Sequence, residues 1–434
     1  MNTQKSNNVL LRSLTLAAAV AVLLFTAVSL DAAERIDTRT QTFDPSFRSL
    51  QVKLVGNDYF PAIITLGNDD HIRVSFDELK EDASYLRYSL VHCNADWQPS
   101  SLVENEYVDG FNYANIEDYE FSSGTFSHFV HYSFTLPNED MKILLSGNYL
   151  VKVYREDAPD EVLLQARFAV CDNVVSVSPK VTSRTDVDYN SQHQQLSFDI
   201  SAKNYKIRDI YNDLKIYVSQ NSRLDNEVRV SRPMMATANG AAYDHLRELI
   251  FPAGNEFRRM ETVAANYLTM GVENVEYHHP FYHATLRLDE PRADEAYLYD
   301  QTQMGRFTIR NADADNSATG ADYFITHFRL NTGGPVTGGK IYLDGEFTHH
   351  LFNSSSLMKY DASTGCYIAD LLLKQGAYNY QYLFVPDGST VAQTARIEGN
   401  KFQTVNEYLV RVYDRKPSER YDRFVGYGIV FSGR

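Results

Sequence analysis

The sequence predicts an all-β protein built from tandem immunoglobulin-like or early-set β-sandwich modules. Three observations predict it. Apolar and polar residues alternate through most of the chain, as in "LRYSLV" (86–91) and "HFVHYSFTL" (128–136), and a period of two is the signature of a half-buried strand. Turn formers punctuate these runs at short spacing, as in "VGND", "LGNDD" and "LPNED", which is how antiparallel sandwiches read. Aromatic residues make up 13%, nearly all of them Tyr (30) and Phe (24), and these favour strands.

The chain opens with an address. Lys5 and Arg12 precede an apolar run from Leu14 to about Leu30, and small residues follow. This reads as a signal peptide over 1–33, cleaved between Ser29 and Ala33. The first module is expected over 35–172, with strands at 49–55, 71–76, 86–91, 128–136, 147–154 and 162–170. A middle β-rich module is expected over 173–311, with its clearest strands at 174–181, 195–202, 213–220, 283–288 and 305–310. Residues 312–322 lie in "NADADNSATGADY" and read as a solvated linker. The run is no calcium loop, because Ala318 takes the glycine position and Phe324 the place of the bidentate glutamate. An early-set-like sandwich is expected over 323–434. Its Gly-Glu-Phe (345–347), Tyr-Asp…Thr-Gly-Cys-Tyr (360–367) and Gly-Ala-Tyr-Asn-Tyr-Gln-Tyr (376–382) runs resemble the early-set modules found beside glycan-processing enzymes, and the resemblance implies the alternative of a periplasmic carbohydrate-binding accessory. That region has no Trp for sugar stacking, and its aromatic residues alternate as a core would.

Charge and motifs exclude several classes. Lys plus Arg total 41 and Asp plus Glu 56, a formal charge of −15. That sign opposes binding to nucleic acid or anionic lipid. There are three cysteines, Cys93, Cys171 and Cys366, an odd number and no disulfide framework. Cys93 and Cys171 fall in one module and are free to pair; three small buried hydrophobes are the other reading. The sharpest stretch is "YSLVHCNADWQPSSL" (88–102), which sets His92 beside Cys93 and carries Trp97, the sole tryptophan. A Cys–His nucleophile needs both side chains within hydrogen-bond reach and a third group to orient the base. Neighbours on a strand point to opposite faces, so this pair is expected to be structural. The adjacent pairs His278–His279 and His349–His350 meet the same obstacle. No zinc motif, Walker loop, nucleophile elbow or dinucleotide fingerprint is present. No catalytic, cofactor or metal residue is therefore expected.

"YSLVHCNADWQPSSLVENEYVDGFNYANIEDYEFSSGTFSHFVHYSFTLPN" (88–138), "SGNYLVKVY" (146–154) and "FPAGNEFRRME" (251–261) resemble the plug proteins of the bacterial type IX secretion system, a family of Bacteroidota. The runs that carry the resemblance are His-Cys-Asn-x-Asp-Trp, Glu-Tyr-x-x-Gly-Phe (106–111) and Gly-Asn-Glu-Phe-Arg (254–258). The resemblance implies a non-enzymatic periplasmic protein without cofactor or small-molecule substrate. It implies a protein that binds the periplasmic mouth of the outer-membrane translocon barrel and closes the pore when no cargo passes. The stretch 105–129 is too long and too aromatic for a bare hairpin, and ordered loops on rigid scaffolds commonly bind partners. Tyr107, Phe111, Tyr113 and Tyr119 are its candidate contacts, and Trp97 either caps the sandwich edge or joins a docking surface.

Overall fold

Alternating sequence becomes alternating burial. Strand Val130–Leu136 hides Val130, Tyr132, Phe134 and Leu136 and leaves the residues between them half-exposed, as the pleat requires. The computed structural model describes residues 35–237 and 239–433, which are mostly β in several antiparallel sheets. The chain divides into two units, Met1–Asp37 and Thr38–Arg434. Of the first, only 35–37 are described, and the expected signal peptide lies outside the described residues. All the described sheets belong to the second unit.

Two sheets close on a first core. One runs in the order Gln41–Thr42, Ala158–Cys171, Gly147–Arg155, Leu86–Cys93, Ala114–Asn115, with Ile63–Thr65 added parallel to Ala158–Cys171. The other runs Phe47–Leu54, Ile72–Glu78, Val130–Leu136, Tyr119–Phe121. Tyr88 and Phe134 stack at 4.2 Å between them, and Phe76 and Tyr132, partners on adjacent strands of the second sheet, at 5.5 Å. Burial of one such ring contributes roughly 1.5–3 kcal/mol.

The remaining strands do not follow the linear division expected at 311–323. Strands Arg258–Glu261 and Phe307–Ile309 flank Gly376–Pro386, which also pairs Gly339–Asp344. Facing them is the sheet Val272–His278, Phe281–Leu286, Tyr323–Leu330, Cys366–Lys374, Lys359–Asp361, and the two share a second core. The last strands, Glu407–Asp414 and Arg423–Phe431, pair instead beside Leu214–Gln220. They share a third core with Phe198, Tyr243 and Phe251. The chain thus leaves the third core after Ile250–Pro252, builds the second core, and returns. Periodicity reports that a segment is a strand but not which strand it pairs with. The tyrosines Tyr378, Tyr380 and Tyr382 lie buried in the second core, so they offer no sugar-stacking platform.

The stretch read as a solvated linker is exposed at Ala312, Asp313, Asp315 and Asn316 and buried from Thr319 to Asp322. Asn316 caps a helical turn, Ser317–Gly320, by accepting from Ala318 N at 3.0 Å. Ser123 N donates to Thr319 O at 3.0 Å. Buried Asp322 accepts from Phe126 N at 2.6 Å and Ser127 N at 3.0 Å. Small polar residues allowed these close backbone contacts, which composition alone reads as solvent exposure. Beside this turn, Lys374 of the second core reaches Asp77 of the first at 2.5 Å. Tyr323 donates to the same carboxylate at 2.7 Å, and His131 Nδ1 lies 2.6 Å from it. Burial pushes the Asp77 pKa up, but Lys374 and His131 outweigh it and hold the carboxyl below its usual value. The Lys374 amine also donates to Ala318 O at 2.5 Å and sits 4.0 Å over the Phe129 ring, and burial lowers its pKa against the pull of Asp77.

Candidate functional site

The His-Cys-Asn-x-Asp-Trp run ends strand Leu86–Cys93 and forms a joint. His92 is buried, with Nδ1 2.9 Å from Ser100 Oγ and Nε2 3.2 Å from Ser146 O. Its ring meets Tyr149 and Tyr421 edge-on at 5.1 and 5.2 Å. Gly147 (φ +149°) makes room for it, since a Cβ there would lie 2.3 Å from Nε2. Cys93 packs with Trp97 and Leu150 in a separate cluster. Burial lowers the His92 pKa to about 4 and raises Cys93 to about 12. At neutral pH the pair is a neutral imidazole and a protonated thiol on different contacts, the opposite of an activated nucleophile. All three cysteines are free and buried.

The rest of the run ties the first core to the third. A tight turn holds Trp97 at φ +63°, with Trp97 N donating to Asn94 O at 2.9 Å. Ala95 N donates to Asp422 at 2.9 Å, and Lys215 holds that carboxylate at 2.7 Å. Tyr413 donates to Asn148 at 2.8 Å, and Asn148 donates to Asn94 O at 2.9 Å. Trp97 itself is only 8% exposed. The guanidinium of Arg167 lies 4.3 Å over its ring and that of Arg411, from strand Glu407–Asp414, 5.8 Å away. The tryptophan therefore occupies an internal joint.

Gly-Asn-Glu-Phe-Arg is a second joint, where the chain crosses from the third core to the second. Asn255 donates to Glu398 O at 2.8 Å, and Arg258 reaches Glu398 at 3.0 Å and Asp289 at 2.6 Å. Glu256 accepts from Val405 N at 2.9 Å and from Tyr297 at 2.8 Å. Gly254 (φ +61°) turns the chain there.

Residues 105–129 divide into a packed half and an outward half. Tyr107, on the short helix Glu104–Tyr107, is buried and donates to Leu90 O at 3.1 Å. Its ring belongs to the first core. Phe111 is 74% exposed and Tyr113 47%, with ring centroids 5.6 Å apart. Asn112 between them explains why they face out. Its side chain donates to Leu90 O at 2.8 Å and accepts from Leu90 N at 2.9 Å, pairing with the strand as backbone would. Tyr119 and Phe121 are exposed on the edge strand Tyr119–Phe121. Phe126 is exposed and meets Tyr277 at 4.6 Å and Tyr282 at 5.5 Å. Phe121 and Phe126 are outward rings that sequence reasoning missed. The available signal was the two-residue spacing of Tyr119 and Phe121, which places both on one face of an edge strand.

The first domain of the type 9 secretion system plug protein matches residues 47–172, the segment that folds into the first core and carries the aromatic stretch. Over 92% of this chain, a crystal structure of a hypothetical protein from Parabacteroides merdae superposes with a TM-score of 0.90 at 43% identity, and all of that chain is covered. The chain belongs to the type 9 secretion system plug protein family. A Pseudomonas fluorescens alkylpurine DNA glycosylase bound to abasic-site DNA reaches a TM-score of 0.17 at 15% identity, over 29% of this chain and 30% of that one, and carries no argument. No curated protein matches the chain.

Membership of the plug family implies a non-catalytic role in type IX secretion. Two of the runs that carried the resemblance fall at these two joints, and the first of them, 92–97, lies within the matched segment. Among the described residues, no helix is long and apolar enough to cross a membrane.

Proposed function

We propose that this plug-family protein is a periplasmic plug, that it docks on the inner mouth of the type IX translocon barrel, and that it closes the pore when no cargo passes. The observation that carries the reading is the family match over the first core, the same core that turns Phe111 and Tyr113 outward on a backbone pinned by Asn112. A plug must resist deformation, and three β cores joined by buried polar contacts form a single unit, Thr38–Arg434. Each core is an immunoglobulin-like sandwich in this reading. The docking surface is Phe111, Tyr113 and Tyr119, extended by Phe121 and Phe126. Mixed aromatic and polar contact suits an interface that cargo has to displace. The experiment is deletion of the gene in cells that retain the translocon, with uptake of a large antibiotic as the readout. Leakage through unoccupied barrels and co-purification of the barrel with the intact protein are expected. Unchanged permeability together with no co-purification overturns the reading.

A further inference from the structure

The outer face of the five-stranded sheet of the second core carries a row of side chains that neither the joints nor the aromatic stretch use. Glu276 and His283 are register partners on neighbouring strands, and so are His327 and Asp370. His283 stands in register with Ile325, two residues from His327 on the same face. His283 Nδ1 and His327 Nε2 are 3.0 Å apart, with ring centroids separated by 5.2 Å. The His278 ring lies 5.0 Å from that of His283.

The proton positions follow from Asp370. Its Oδ1 is 2.6 Å from His327 Nδ1, and an ionised carboxylate only accepts. Nδ1 therefore carries the hydrogen, and Nε2 presents its lone pair toward His283. A carboxylate behind an imidazole is the usual support for a metal-binding histidine. Two imidazoles on one tetrahedral ion, with metal–nitrogen bonds of about 2.0–2.1 Å, hold their nitrogens about 3.3 Å apart and their ring centroids about 5 Å apart. The observed spacings need to change by only a few tenths of an ångström.

We propose that His283 and His327 bind a divalent transition-metal ion of the Zn²⁺, Ni²⁺ or Cu²⁺ class, with His278 turning in as a third ligand and water completing the shell. Imidazole donors select this class over Mg²⁺ and Ca²⁺, which take oxygen ligands. Among the described residues no three His, Cys, Asp or Glu side chains already surround a common point; two nitrogens are in place and the third has to rotate. His278 has room to do so, because its side chain is 63% exposed, and its contact with Glu276 at 3.1 Å is a surface contact of little strength. Glu276 and Asp370 on either side offset the charge of the ion. Bound there, the ion ties strand Val272–His278 to Phe281–Leu286 and Tyr323–Leu330, beside Phe126, Tyr277 and Tyr282.

The test is calorimetric titration of the untagged chain with Zn²⁺, paired with electron paramagnetic resonance of the Cu²⁺ form. One ion per chain with submillimolar affinity and nitrogen hyperfine structure is expected. His283→Ala and His327→Ala should abolish both signals, Asp370→Asn should weaken binding about 10–100-fold, and His278→Ala should weaken it less than His283→Ala does. These residues face outward, so circular dichroism should match the parent and exclude unfolding as the cause. No saturable binding below millimolar Zn²⁺, or binding that survives His283→Ala and His327→Ala together, overturns the proposal.

Discussion

Residues 105–129 and strand Gly376–Pro386 are both dense in tyrosine and phenylalanine, yet their rings have opposite fates. In Gly376–Pro386, Tyr378, Tyr380 and Tyr382 are buried, and Tyr380 and Tyr382 both donate to Asp289 at 2.8 Å. In 105–129, Phe111, Tyr113, Tyr119, Phe121 and Phe126 are exposed. The difference lies in the neighbours. The ring-bearing face of Gly376–Pro386 is covered by the five-stranded sheet of the second core, so its rings have no route to solvent. The aromatic stretch makes only short strands, Val108–Asp109, Ala114–Asn115 and Tyr119–Phe121, and the last two end their sheets with no further strand paired to them. Aromatic density marks neither core nor surface until pairing decides.

The largest expected effects lie in the enclosed region and its surroundings. Tyr382→Ala should lower unfolding free energy by about 3–5 kcal/mol, the range for a buried ring truncated to alanine. Lys374→Met should cost about 3–5 kcal/mol by removing the buried ammonium from Asp77, which keeps only Tyr323 and His131. Urea denaturation measures both, and a loss below about 1 kcal/mol in either would remove the contrast with the exposed rings.

The sole tryptophan gives an optical check. Trp97 is buried at a joint, so its native emission should be blue-shifted and poorly quenched by acrylamide, and should move to the red on unfolding. A red, readily quenched native signal would return Trp97 to the exposed set.

A smaller effect is pH dependence. The folded His92 pKa is lowered to about 4 from 6.5, so the unfolded chain binds the extra proton between these values. Stability should fall as pH drops from about 6.5 to about 4, with this group contributing at most about 1.4 kcal/mol per pH unit. Asp77 acts lower: its folded pKa lies below 3.8, so its contribution is present above that value and is lost as pH falls through the folded pKa. His92→Gln should flatten the upper part of the curve, measured by denaturation at stepped pH.

The smallest stability effects belong to the outward rings. Phe111→Ala and Tyr113→Ala should change unfolding free energy by no more than about 0.5 kcal/mol, while weakening translocon binding by about 2 kcal/mol if they are its anchors. Full binding by both variants would move the docking surface elsewhere on the protein.

The sequence by itself determined the strands, the turns and the family, because alternation, Gly/Asn/Asp/Pro punctuation and the His-Cys-Asn-x-Asp-Trp run are local patterns. It also showed that His92 and Cys93 are not partners, since strand geometry alone sends neighbours to different faces. Only the tertiary structure decided that Glu407–Asp414 and Arg423–Phe431 return to the third core, that residues 319–322 are buried, and that Tyr107 and Trp97 are buried while Phe111 and Tyr113 are not. It also brought His283 to His327 across 44 residues of sequence. The physical reason is common to all of these. A strand's two faces are written in its own residues, but its edge partner and whatever covers its faces come from distant chain, and a period of two carries no information about distance.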